Sequence, residues 1–445
     1  MSWQRVYLAL GSNLGDRAAN LHAACRALSP QVQIERASPI YETDPWGYAD
    51  QPPFYNQVLR ARTELEPLAL LNFLKQTETR LGRQPSVRYG PRLIDLDILF
   101  YNDQVLQTDE LTLPHPRLHE RAFVLIPLKD LAADLRHPVL GQTVRELCAA
   151  LDCSSVRRSG LPTPPLPWGT RTFIMGILNV TPDSFSGDGL LSRQDVIAAA
   201  LEQAWQFAAA GADILDIGGE STRPGSQPVS AGQEAERVLP VIEALRRAGP
   251  DVLLSVDTYK ASVAKAALQA GANWVNDVWG LRADPDLAAL VATANVPIVL
   301  MHNRSQPANT ELQARLGGRY VGIEYANLIE DVRNELLQSV AIAHAAGIPD
   351  THIILDPGIG FGKTVAQNLE LLRRLDEIRA LGYPLLLGPS RKSFIGYTLN
   401  LPPEQRLEGT LAACVLGIER GADILRVHDV SAVARAARLT DAILH

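Results

Sequence analysis

Cysteine is scarce in this chain of 445 residues. There are four, Cys25, Cys148, Cys153 and Cys414, with no CxxC pair and no zinc-like spacing to the nine histidines. That excludes a disulfide-stapled scaffold and a zinc ribbon, and a reducing, cytoplasmic setting is expected. Long apolar runs are missing too. None approaches the ~18 residues of a membrane helix, and the opening MSWQRVYLALGSNLGDR turns polar too soon for a secretory signal, so no membrane partner is expected. Cations are not in excess: 42 Lys+Arg stand against 49 Asp+Glu, net −7, which removes the electrostatic footprint of a nucleic-acid binder. Lysine itself is rare. Only Lys75, Lys129, Lys260, Lys265, Lys363 and Lys392 occur, so a lysine inside a glycine-rich loop stands out.

What is present describes a folded chain. Hydrophobic residues at 46% and charged residues at 20% are far from a disordered composition. Residues 1–160 balance 18 cations with 18 anions, so residues 161–445 carry the whole −7. The length allows roughly three domains, or fewer if one is a large barrel. Ser154–Thr172, SSVRRSGLPTPPLPWGTRT, has prolines that bar helix and favour an extended tether. The reading is therefore a first domain over 1–153, a linker over 154–172 and a second domain over 173–445.

The first part predicts strand Val6–Leu10, helix Arg17–Leu28, strands Val32–Tyr41 and Phe54–Thr63, helix Leu68–Leu81 entered by Pro67 and closed by Gly82, and strand Leu93–Phe100. A further helix is predicted over Arg121–Leu131. The order β-α-β-β-α-β is a ferredoxin-like α+β arrangement. The second part repeats a pattern: Gly211-Ala-Asp-Ile-Leu-Asp-Ile, Gly271-Ala-Asn-Trp-Val-Asn-Asp and Gly421-Ala-Asp-Ile-Leu-Arg-Val each follow an alanine-rich run. A glycine suits the helix end and the apolar run suits a buried parallel strand. Eight such strands can be read: Phe173–Val180, Asp213–Gly218, Val252–Asp257, Asn273–Val278, Pro297–His302, His352–Asp356, Pro384–Gly388 and Asp423–His428. Eight units in this length fit a TIM (β/α)8 barrel; a doubly wound open sheet is the alternative.

A barrel carries its site at the C-terminal strand ends. Those ends are Asn179, Asp216 with Glu220, Asp257, Asn276 with Asp277, His302, Asp356, Ser390-Arg391-Lys392 and Arg426 with His428. One polar strand end is usually a helix cap or solvated loop; eight on one face point to a site. Asp257, Asn276 and Asp356 offer oxygens to an aminopyrimidine edge. Arg426, His428, Arg223 and Asn179 suit a phosphorylated group, with a divalent metal possible at Asn179. The loop Gly358-Ile-Gly-Phe-Gly-Lys363 is not a Walker A sequence.

These blocks carry a resemblance. IMGILNVTPDSFS (174–186), DIGGESTRPG (216–225), SVDT (255–258), DPGIGFGKT (356–364), GPSRKSFIG (388–396) and RVHDV (426–430) make residues of about 172–440 resemble the dihydropteroate synthase family. The resemblance implies that Asp257, Asn276, Asp356 and Lys392 hold the pterin of a dihydropterin-methyl diphosphate. It implies Mg²⁺ at Asn179, Arg426 and His428 on the diphosphate, and Thr222 and Arg223 on a closing loop. Phe361, Lys392 and Ser393 would border the p-aminobenzoate pocket, with Asp356 and Lys392 catalytic. Met301-His302-Asn303-Arg304 matches more loosely, and His302 receives no role.

In the first part, Asp95-Leu96-Asp97 places two carboxylates on one face of a strand, where they can bind hard cations. An exposed edge strand with salt bridges is the bland alternative. Arg83, Arg88, Arg92, His115, Arg117 and Arg121 surround the pair in sequence, and acids for Mg²⁺ with cations for phosphate equip phosphoryl transfer. ALGSNLGDR (9–17), TDPWGYADQPPFYNQV (43–58), RYGPRLIDLDIL (88–99), LTLPH (111–115) and RAFVLIPL (121–128) resemble 6-hydroxymethyl-7,8-dihydropterin pyrophosphokinase over residues of about 4–150. The resemblance implies two Mg²⁺ on Asp95 and Asp97, ATP contacts from Glu78, Arg83, Arg88, Arg92, His115 and Arg121, and catalysis by the acid pair with Arg83 and Arg92. Phe54 and Phe123 would sandwich the pterin while Asn56 and Thr43 read its edge. Departures from that family are Glu110, Tyr89 and a short Gln84–Val87 loop lacking a second arginine, for which Arg117 is the candidate substitute.

Together the halves predict a bifunctional folate-biosynthesis enzyme that diphosphorylates hydroxymethyldihydropterin with ATP and then condenses it with p-aminobenzoate. A homodimer through the barrel is implied by the resemblance. The alternatives are an inactive pterin-binding module in the first half and a pterin-binding methyltransferase in the second.

Overall fold

A computed structural model describes the chain except residues 1–2, 46–50, 84–89, 160–165, 181–192, 222–227, 251, 322–323 and 445. It divides into two compact units, one through Arg171 and one over Thr172–Leu444.

The first unit is built on β1 (Gln4–Ser12), α1 (Arg17–Leu28), β2 (Val32–Ala37), β3 (Tyr41–Thr43), β4 (Phe54–Thr63), α2 (Pro67–Arg80) and β5 (Asp95–Tyr101). β6 (Leu106–Gln107) and β7 (Thr112–Leu113) form a small ribbon; α3 (Ala122–Ala132), α4 (Val144–Ala149) and β8 (Val156–Arg158) follow. The main sheet has the order β5-β1-β4-β3-β8, with β2 also on β4, and its pairings are antiparallel. This is the ferredoxin-like arrangement. α1 starts where Asp16 accepts from Ala19 N, a side-chain cap on a free N–H. Leu21 and Leu28 of α1 and Leu70 and Leu74 of α2 pack with Leu96 and Ile98 in one core. α3 and α4 cover the opposite face through Val124, Leu125, Leu128 and Leu147. The predicted strand Val32–Tyr41 is two strands: Ser38-Pro39 interrupts it, since proline has no N–H for the ladder, and Ser38 instead pairs across to Val58. The predicted linker also differs at its start. Val156–Arg158 is a sheet strand, paired with Tyr41–Thr43.

The second unit is the TIM barrel, and all eight predicted strands occur: β9 (Phe173–Asn179), β10 (Ile214–Gly218), β11 (Leu253–Asp257), β12 (Trp274–Asp277), β13 (Ile298–Met301), then after a hairpin β14 (Thr310–Gln313) and β15 (Gly317–Tyr320), β16 (Ile353–Asp356), β17 (Leu386–Leu387) and β18 (Ile424–Val427). The parallel order is β16-β13-β12-β11-β10-β9-β18-β17, and the Leu355–Leu385 bridge closes the ring, which removes the open-sheet alternative. The strands are buried on both faces, as parallel strands under helices must be. The repeat glycines Gly211, Gly271 and Gly421 sit at φ of 103°, 114° and 94°, the left-handed turn that ends a helix before the next strand. Register aligns the chemistry: Gly218 pairs with both Asn179 and Asp257, and Asp257 pairs with Asn276. Three polar strand ends therefore stand level at one mouth.

Candidate active sites

The first site lies where β1, β4 and β5 meet α3. A cavity of about 130 Å³ is lined by Thr43, Phe54, Asn56, Arg92, Asp95, Asp97, Arg121 and Phe123, among others. Eight predicted residues thus share one hollow. Strand alternation is the reason: Leu96 is fully buried while Asp95 and Asp97 turn to the other side. β5 stands at the edge of the sheet, as the bland alternative had it, but its acids face the cavity. Asp95 is held by Arg83 at 2.7 Å and Arg92 at 2.5 Å, one on each oxygen. Burial would raise its carboxyl, but Arg92 and Arg83 outweigh it and keep the group below the ordinary range. Arg121 is 4.0 Å from Asp97, 3.4 Å from His115 and over the Phe123 ring at 5.7 Å. Burial lowers the His115 imidazole.

Glu78 is buried on α2, where it accepts from Leu96 N at 2.6 Å and pairs with Lys75 and Arg83. Burial pushes its carboxyl up. Asn56 donates to Thr43 Oγ1 at 2.7 Å, so these two are read as one polar edge. The Arg117 guanidinium pairs with Glu120 at 3.0 Å on the surface, while its backbone N–H donates to His115 Nδ1 at 3.2 Å; like Arg83 and His115, it is not among the residues that line the cavity. Arg88, Tyr89 and the Gln84–Val87 loop lie outside the described residues.

The second site fills the barrel mouth. Asp257, Asn276, Asp356, Lys392 and Arg426 all come from strand ends or the turns after them. Arg426 donates to Asp257 at 2.5 Å and to Asp216 at 2.6 Å, and burial does not prevent the acids from holding its guanidinium charged. Asp216 also accepts from Asn276 Nδ2 at 2.9 Å. Burial pushes Asp257 up to about 7, opposed by Arg426 and reinforced by Asp216. Asp356 is raised by burial, against Lys392 and the Gly358 N–H that it accepts at 2.7 Å. Lys392 is pushed down to about 8 by burial, with Asp356 pulling the other way. Its ammonium contacts Ile359 O and sits 4.5 Å above the Phe361 ring. Ser393 is the first residue of the helix Ser393–Leu399 that follows. Ser390 Oγ lies 3.1 Å from His428 Nδ1. Asn179 ends β9 beside Gly218. Thr222 and Arg223 lie outside the described residues.

One residue was missed. Asp216 was read as a strand end but given no part in the site. It is fully buried, bridges Asn276 and Arg426, and its Oδ1 has no hydrogen-bond partner among the described residues. Its interior position, two residues before the strand end, was the available signal. A buried acceptor without a donor is costly, and it marks where a ligand N–H can go.

Among known proteins, the family model of pterin-binding enzymes matches residues 175–428, and that of 7,8-dihydro-6-hydroxymethylpterin-pyrophosphokinase matches residues 7–133. A folate synthesis bifunctional protein of Arabidopsis thaliana is 36% identical, over 100% of this chain and 96% of its own. This chain belongs to the bifunctional folate-synthesis family. The folic acid synthesis protein of Pneumocystis carinii is 40% identical over 99% of this chain, but the chain spans only 60% of that protein's length. Among solved structures, a Xanthomonas albilineans dihydropteroate synthase with 4-aminobenzoic acid shares 41% identity at a TM-score of 0.55, covering 62% of this chain and 93% of that one. Family membership thus spans both units, and the two matched segments fall on the two sites. Some relatives are mitochondrial, including one of Pisum sativum. No helix among the described residues is long and apolar enough to cross a membrane.

Proposed function

We propose that the chain catalyses two consecutive reactions of folate synthesis. In the first, the hydroxymethyl oxygen of 6-hydroxymethyl-7,8-dihydropterin attacks the β-phosphorus of ATP; the diphosphate is transferred, AMP leaves and the hydroxyl proton is released. In the second, the pterin-methyl carbon–oxygen bond breaks, diphosphate departs, and the amine of p-aminobenzoate forms the new carbon–nitrogen bond and loses a proton, giving 7,8-dihydropteroate. The observation that carries the reading is the gathering of predicted residues at two separate sites, one per matched segment.

In the first site Phe54 and Phe123 stack the pterin, and Thr43 with Asn56 reads its edge. Arg83, Arg92, Arg121 and His115 face the ATP phosphates, with Glu78 bracing Arg83 and the start of β5. The acid pair fits a hard divalent cation, because carboxylate oxygens on one strand face are its preferred donors. Asp95 and Asp97 would hold Mg²⁺ there, two ions on the family's pattern. When bound, the metal neutralises phosphate charge and eases departure of AMP.

In the second site Asp257, Asn276 and Asp356 accept the N–H groups of the pterin, and Asp216 backs Asn276. Arg426 and His428 take the diphosphate. The Asn179 amide oxygen suits a single Mg²⁺. Lys392, Phe361 and Ser393 bound the arylamine pocket. The acids at the mouth also favour the positive charge that develops on the pterin-methylene carbon. A homodimer is supported by the apolar side chains Leu416, Leu439 and Ile443, exposed on the last two barrel helices, Leu407–Glu419 and Val430–Leu444. The free cysteines support the cytoplasm as location.

The test supplies the purified protein with ATP, Mg²⁺, hydroxymethyldihydropterin and p-aminobenzoate. Dihydropteroate with stoichiometric AMP is expected. AMP alone leaves only the first activity standing, and neither product refutes the reading.

A further inference from the structure

Two features singled out in the sequence have no part in either reaction as described: the rare Lys363 and the loosely matched His302. Lys363 ends the loop Gly358–Lys363 and is only 2% exposed. Burial pushes its ammonium well down from the ordinary lysine range, so it keeps its charge only when its three donors are all taken. Here three acceptors surround Nζ: Gly358 O at 2.9 Å, Phe361 O at 3.0 Å and His302 Nδ1 at 2.9 Å. For Nδ1 to accept, the imidazole proton must sit on Nε2; Nε2 lies 3.2 Å from Glu335 Oε2, an electrostatic contact whose angle falls short of a hydrogen bond. Burial and the neighbouring Lys363 drive the His302 imidazole down to about 3, which keeps it in this neutral form. Glu335 is anchored in turn by Arg304 at 2.7 Å and Arg282 at 3.4 Å.

The loop between is shaped by two lysines pulling on its carbonyls. Lys363 takes those of Gly358 and Phe361; Lys392 takes that of Ile359 between them. Gly358 is at φ 70°, and a Cβ there would stand 1.8 Å from His302 O, so the loop is pressed against the residue that follows β13. Its outward product is the Phe361 ring under the Lys392 ammonium.

We propose that Lys363, seated on the His302–Glu335 pair, is a positioning residue of the second site: it sets the Gly358–Lys363 loop so that Phe361 meets Lys392, and thereby sets capture of the arylamine. The inference rests on the synthase reading. Lys363 touches no reacting atom. Its effect is on the affinity for p-aminobenzoate rather than on the breaking of the carbon–oxygen bond.

The experiment measures condensation kinetics with preformed pterin diphosphate for the full chain and three variants, Lys363→Met, His302→Leu and His302→Asn. Leucine and asparagine have similar shapes, but only asparagine keeps an acceptor near the Nδ1 position. Lys363→Met, which strips the loop carbonyls of their donor, and His302→Leu, which leaves one Lys363 donor unpaired, are expected to raise KM for p-aminobenzoate about tenfold or more, the cost of a buried hydrogen bond left unmade, with kcat changed far less. His302→Asn is expected to restore KM to near the parent value. If His302→Leu and His302→Asn behave alike, or if Lys363→Met leaves KM unchanged, the proposal is overturned. Should Lys363→Met fail to fold, the leucine–asparagine pair still decides. A parent chain that forms no dihydropteroate would instead remove the synthase reading, and the proposal with it.

Discussion

The two candidate sites bring carboxylates and cations together in opposite surroundings. The first lies at the edge of an antiparallel sheet, where Asp95 is neutralised by two arginines and stays below its ordinary range. The second lies inside a barrel mouth, where burial dominates: Asp257 is pushed up to about 7 and Lys392 down to about 8. At a partly open edge long cations can reach the acids from solvent, and charge pairing wins. Inside the barrel the walls remove water, and desolvation wins even though Arg426 lies 2.5 Å from Asp257. The same residue types therefore serve as fixed charges in one site and as titratable groups in the other.

The sharpest way to break this comparison is to remove one acid from the edge site. Asp97→Ala is expected to reduce diphosphate transfer from ATP by about a thousandfold, with condensation from preformed pterin diphosphate unchanged; AMP release and dihydropteroate formation report the two separately. Loss of both activities would contradict separate sites. Next in size is Lys392→Ala, expected to lower kcat/KM for condensation about a hundredfold while AMP formation continues. An unchanged condensation rate would remove Lys392 from the site.

A pH profile sharpens the contrast further. If Asp257 accepts pterin N–H groups as a carboxylate, as proposed, condensation is expected to rise as pH increases through about 7. If Lys392 acts as a cation, as proposed, the rate is expected to fall as pH increases through about 8. The expected kcat/KM curve is a narrow bell between these values. Asp257→Asn is expected to erase the acidic limb; a limb that persists would assign it to another group. The smallest effect belongs to Arg117→Ala. Arg117 pairs with Glu120 outside the cavity, with both side chains well exposed, and such solvent-screened pairs contribute little. KM for ATP should change by no more than about twofold; a tenfold rise would place Arg117 at the phosphates after all.

Much of the fold was legible because its periodicities are strong. α1 and β4 occur at the predicted residues, Arg17–Leu28 and Phe54–Thr63, since apolar spacing and flanking turns agree there. The barrel strands are short apolar runs after glycine-ended helices, and that repeat marked them. What was not legible depended on partners distant in sequence. The strand Val156–Arg158 looked like the start of a tether, because its ladder is formed with Tyr41–Thr43 more than a hundred residues away. Asp216 lacked a visible role for the same reason: its partners are Asn276 and Arg426.

The sequence by itself nominated residues for both sites, because motifs such as RLIDLDIL and DPGIGFGK are contiguous and their alternation or turn chemistry is local. It pointed to two units and to a fold for each for the same reason, and the Leu355–Leu385 bridge then decided the closed barrel over an open sheet. Only the tertiary structure decided the state of those groups. Whether a carboxylate is low or raised, whether Arg117 faces phosphate or Glu120, and which acceptors satisfy Lys363 depend on burial and on distances between residues far apart in the chain. Solvation is a property of the packed surroundings, and no local pattern encodes it.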